Sequence, residues 1–102
     1  MEIIRQLSEQ IDDELEDAHK YIKKALKTKE KYPQVADAYY RLSGEEMSHV
    51  NMLHGVVTTI INEVRQTQEV PPAMQNVYDY LHQKQIDKAA KIKAKQEEYT
   101  TK

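Results

Sequence analysis

The chain has 102 residues, enough for one domain with one modest core, and it contains no Cys, Phe or Trp. The missing cysteines exclude disulfides, thiolate-bound zinc, iron–sulfur clusters and a thiol nucleophile, and they sit easily with a reducing, cytoplasmic setting. Fifteen Lys and Arg against 17 Asp and Glu leave a formal charge of −2, so no overall positive field recruits nucleic acid.

Two glycines and three prolines in a background rich in Glu, Lys, Gln and Ala favour helix almost throughout. The prolines divide the chain into three helices. The first is expected over about residues 2–29. Its apolar series runs Ile4, Leu7, Ile11, Ala18, Tyr21, Ala25 in steps of three and four, with Glu14 taking the place of an apolar residue. The acidic run Glu9, Asp12, Asp13, Glu14, Glu16, Asp17 falls in its N-terminal half, toward the positive end of the helix dipole.

A short linker, Lys29–Tyr32, leads to Pro33, a residue suited to the first turn of a new helix. The second helix is expected over about 34–68, ~50 Å at 1.5 Å per residue. Its seam reads Val35, Tyr39, Leu42, Glu46, His49, Leu53, Val56, Ile60, again in steps of three and four. Gly44 is expected to mark the close approach of a neighbouring backbone. Met47, Met52 and Met74 read as packing residues. Beyond residue 58 this helix outruns the first, so Ile60, Ile61 and Val64 need cover from the third helix or from another subunit.

Pro71 and Pro72 stop the second helix and open a third, over about 73–98. It carries Lys84, Lys88, Lys91, Lys93 and Lys95 against a single acid, Asp87. This run reads first as a solvated face and second as a surface for a protein partner through residues 84–95. No Arg or aromatic residue is interleaved to read bases, so nucleic acid is not expected. The longest apolar stretch, Val56–Ile61, is too short to span a bilayer, and no membrane association is expected. Asp79 and His82 repeat the acid-x-x-His spacing with a shorter acid and read as an exposed pair. His19 and His54 fall off both seams and read as surface residues.

The short linker makes the first two helices an antiparallel hairpin in which residue i lies level with about 60 − i. Glu14 is then level with Glu46 and one turn from His49. Seam phase and hairpin level thus bring the same three side chains together. Carboxylates and an imidazole in apolar seams are costly unless paired or bound to a cation, and this oxygen and nitrogen set suits iron or manganese, with zinc possible. One hairpin carries half of a dinuclear ligand set, so a complete site requires a two-fold homodimer.

These residues resemble the ferritin-like superfamily, specifically the hairpins of rubrerythrin-type and encapsulated-ferritin-type proteins. The likeness covers about residues 8–57. It rests on Glu14-Leu-Glu-Asp-Ala-His-Lys-Tyr21, on Tyr32-Pro-Gln-Val-Ala-Asp-Ala-Tyr39, and on Glu45-Glu46-Met-Ser-His49. The resemblance implies an all-α fold, a four-helix bundle completed by homodimerisation, over a single domain 1–102 with the metal-binding hairpin in 1–69 and the C-terminal helix in 70–102. It implies a di-iron site with Glu14 as terminal ligand, Glu46 as bridging carboxylate, His49 as terminal imidazole and Tyr21 as a hydrogen-bond donor beside the metals. Oxidation of Fe(II), or reduction of O₂ or peroxide, is the activity it implies. The chain departs from that pattern in having no second hairpin and no Cys-x-x-Cys module. A non-catalytic helical module acting through the lysine-rich third helix is the alternative.

Overall fold

A computed structural model describes residues 2–101. It consists of three helices, α1 Glu2–Thr28, α2 Pro33–Thr67 and α3 Pro72–Thr101. The molecule measures 55 × 18 × 17 Å, and the 35 residues of α2 set the long axis at ~1.5 Å each.

The boundaries follow from local chemistry. Pro33 occupies the first turn of α2, where its missing N–H would have had no partner. Across the linker, the Tyr32 N–H donates to the Thr28 carbonyl at 2.8 Å, and the Ala36 N–H donates to the Tyr32 carbonyl at 2.9 Å. The second helix closes as the Gln68 N–H reaches the Val64 carbonyl at 3.0 Å, just before the two prolines. The third opens at Pro72, with the Gln75 N–H on the Pro71 carbonyl at 3.0 Å.

The first two helices form the expected antiparallel hairpin, and α3 lies alongside it, running parallel to α1. Its core gathers Ile11, Leu15, Ala18, Ile22 and Ala25 from α1, Ala36 and Val50 from α2, and Ile92 and Tyr99 from α3. Ser43 is fully buried among them and joins all three helices: its hydroxyl donates to the Ala18 carbonyl at 2.8 Å and accepts from the Gln96 amide at 3.0 Å. Near the hairpin turn the Tyr99 ring stacks on Tyr40 at 4.6 Å and its hydroxyl donates to Asp37. Lys29 reaches over the same ring to the Tyr99 carbonyl. The Asp37 carboxylate and burial push the Tyr99 hydroxyl up to about 12.

Of the seam read from α2, Tyr39 and Leu53 pack half-buried against this core, but the residues that bury most fully are others. The buried positions Ala36, Ser43 and Val50 lie one place on from it, on a stripe continued by the half-buried Tyr40, Met47, His54, Val57 and Ile61 in the same steps of three and four. In consequence Val35 is 45% exposed, Leu42 36% and Val56 44%. On α1 the same rotation buries Leu15 and Ile22 and leaves Leu7 and Tyr21 half-buried. Gly44 is a further correction: a Cβ there would meet nothing within 4 Å, so the glycine answers no packing demand. Met47 packs on the core, whereas Met52 is 66% exposed and Met74 also lies at the surface. The overhang is only partly covered within the chain: Ile60, Ile61 and Val64 stay half-buried, and Ile61 and Val64 line cavities with Met74 and Tyr78 of α3.

Candidate metal centre

Glu14 stands midway along α1, and Glu46 and His49 stand one turn apart on α2. The hairpin brings them together as its level predicts. Glu14 Oε2 lies 3.4 Å from His49 Nδ1, and Glu46 Oε2 lies 3.8 Å from the same nitrogen. One donor atom from each of the three residues falls within 4.8 Å of the other two. Both carboxylate side chains are 17% exposed, while the imidazole is 49% exposed and forms the open side of the group.

Hydrogen bonding at the group is uneven. The Gln10 amide donates to Glu14 Oε1 at 3.0 Å, leaving Oε2 directed toward His49. Glu46 Oε2 is buried and has no hydrogen-bond partner. A shielded, unpaired carboxylate oxygen costs on the order of 1–3 kcal/mol or more, since it has given up water without replacement. A cation removes that cost. Nitrogen and oxygen ligands sit at about 2.0–2.2 Å from zinc-sized ions, so ligands of one ion lie within about 4.4 Å of each other. Both distances to His49 Nδ1 already lie inside that limit, and the two carboxylate oxygens lie within 4.8 Å of each other. The residues present therefore fit a divalent metal of the iron, manganese or zinc class.

The group lies on the side of the hairpin opposite α3. At about 100° per residue, Glu14 projects roughly 120–160° around α1 from Ser8 and Asp12, and those two accept from the Gln85 amide of α3. Glu14 therefore shares its face with Leu7 and Tyr21, beside Val35, Tyr39, Leu42 and Val56 of α2. Tyr21 stacks on Tyr39 at 6.1 Å between centroids, with Lys24 over the Tyr39 ring. Among the described residues its hydroxyl makes no hydrogen bond to Glu14 or Glu46.

Other titratable residues lie elsewhere. His19 and His54 are half-buried rather than surface residues. His19 packs where α3 passes. Burial is the main cause that lowers its proton affinity, with Lys88, Lys23, Lys95 and Lys91 adding to it. The basic run thus lies alongside the acidic helix α1, with Gln85 bonded to Asp12 between them. His54 hydrogen-bonds His82 at 2.9 Å, and Asp79 accepts from the Gln75 amide at 2.8 Å. The sequence signal for His54 is its place on the shifted stripe, between Val50 and Val57. No described helix is long and apolar enough to cross a membrane.

Compared with known proteins, the chain matches no family model, no curated protein and no solved structure. Its chemistry rests on its own geometry.

Proposed function

We propose that the chain is a metal-binding, ferritin-like protein whose active form is a two-fold homodimer. The open faces of two hairpins would meet, and each would contribute Glu14, Glu46 and His49 to one dinuclear site, most naturally di-iron. The observation that carries this reading is the buried, unpartnered Glu46 oxygen beside Glu14 and His49 on an uncovered apolar face. One hairpin provides three donors, too few to complete two metals, and the exposed Val35, Leu42 and Val56 around them require cover.

Within the site the two carboxylates of each chain would offset the charge of the ions, with Glu14 and Glu46 as oxygen donors. The His49 imidazole would hold one metal terminally, and its exposed edge provides access. Tyr21 would stand beside the metals as a hydrogen-bond donor. Bound iron would supply one-electron redox chemistry toward O₂ or peroxide, so ferroxidase or peroxide-reducing activity is the reaction class proposed.

An anaerobic Fe(II) titration of the purified chain tests the reading. One tightly bound iron per chain, lost in both Glu46→Ala and His49→Ala, supports a site assembled by a dimer. If iron, manganese and zinc all fail to bind, the metal reading is lost, and a helical interaction module acting through residues 84–95 takes its place.

A further inference from the structure

A second pair of histidines joins α2 to α3 on the other side of the hairpin. His54 Nε2 and His82 Nδ1 are 2.9 Å apart, with ring centroids 4.6 Å apart and planes within 20° of each other. They form part of the wall of a cavity of about 730 Å³ between the N-terminal half of α1, the C-terminal half of α2 and the start of α3. The rest of the wall is largely apolar, with Ile11, Val57, Ile61 and Leu81 among its residues. Asp79, one turn before His82 on α3, lines the same cavity.

We propose that His54 and His82 form a second metal site, distinct from the carboxylate-rich centre, for a divalent late transition ion of the nickel, copper or zinc class. Two nitrogens 2.9 Å apart, each about 2.05 Å from one ion, subtend roughly 90° at that ion. That is the angle between neighbouring ligands in square-planar or octahedral coordination, and widening the gap by about 0.4 Å gives the tetrahedral angle zinc prefers. An all-imidazole pair selects this class of ion, whereas the oxygen-rich centre suits iron and manganese. Burial together with the neighbouring His82 lowers the proton affinity of His54, which keeps its ring neutral and able to ligate at neutral pH. In the metal-free pair one ring nitrogen donates its proton to the other. Binding requires both nitrogens bare, so that proton moves to the far nitrogen of its own ring, and no net proton is released from the neutral pair. Water fills the remaining positions. The ion would clamp the start of α3 to α2, where the cavity leaves the two helices thinly packed.

The test is a Zn²⁺ titration of the full ¹⁵N-labelled chain at pH 7.5, following the ring nitrogens of its four histidines. His49 reports the first centre in the same experiment, and His19 serves as the internal control. The expected result is that His54 and His82 shift together, with the donating ring changing tautomer, and that the melting temperature rises. His82→Gln should weaken this binding by at least about tenfold while leaving the His49 response in place. If neither the His54 nor the His82 ring responds at millimolar zinc, the pair is a hydrogen bond and nothing more. Shifts of the two rings at separate zinc concentrations would likewise overturn the shared site. Since the main readout needs no substitution, a variant that misfolds does not blunt it.

Discussion

The two faces of the α1–α2 hairpin are written in nearly the same alphabet and have opposite fates. One face, built on Leu15, Ile22, Ala36, Ser43 and Val50, is closed by Ile92 and Tyr99 of α3. The other, built on Leu7, Tyr21, Val35, Leu42 and Val56, is left open. Each carries polar groups at its centre, and their bonding separates the roles. Ser43 on the closed face has both its donor and its acceptor satisfied, by Ala18 and Gln96. Glu46 on the open face keeps a buried oxygen with no partner. A satisfied buried polar group helps fix a structure, and the unsatisfied Glu46 oxygen, like the His19 Nε2 nitrogen, is a cost the fold carries.

This contrast can be broken by substitution. The largest loss of stability is expected on the closed face: Ile22→Ala should cost about 2–5 kcal/mol in denaturant unfolding, since Ile22 is fully buried at the junction of the helices. Ser43→Val comes next, at about 1–3 kcal/mol, because it leaves the Gln96 amide without its partner and removes the bond between α2 and the Ala18 carbonyl. A cost below about 0.5 kcal/mol for either would show that the closed face is not the core.

On the open face the sign should reverse. Glu46→Leu in metal-free protein should be neutral or stabilising by about 1 kcal/mol, since it removes the unpaired oxygen. Leu42→Glu should shift melting by no more than the equivalent of about 0.5 kcal/mol, yet abolish the proposed dimer in sedimentation equilibrium. A monomeric wild-type chain at high concentration with metal present would remove the assembly half of the proposal.

The smallest effects are expected from pH. His19 and His54 both have proton affinities lowered by folding, so below about pH 6.5 the unfolded chain binds more protons and stability should fall as the pH drops through their folded values. Tyr99 has the opposite sign. Its hydroxyl, raised to about 12, contributes fully below about pH 10, and that contribution is lost as the pH climbs from there toward 12. Tyr99→Phe should cost about 1 kcal/mol at neutral pH and flatten that alkaline loss, as read by urea midpoints at about pH 8, 10 and 11.

The sequence by itself determined the three helices, their proline boundaries and the meeting of Glu14, Glu46 and His49. Those features depend on local propensity, on a spacing of three along one helix and on the level set by a short turn, all of which act over short stretches of chain. Tertiary structure alone decided which of two adjacent stripes on α2 faces the core. Ala36, Ser43 and Val50 compete with Val35, Leu42 and Glu46 at the same period, and hydropathy favours the stripe that the fold leaves open. The shifted stripe is the one that meets α3, at Ser43 with Gln96 and Tyr40 with Tyr99, and α3 buries only Ile92 and Tyr99 among the described residues. Its parallel run beside α1 and the meeting of His82 with His54 are contacts between distant segments, fixed only when the helices pack.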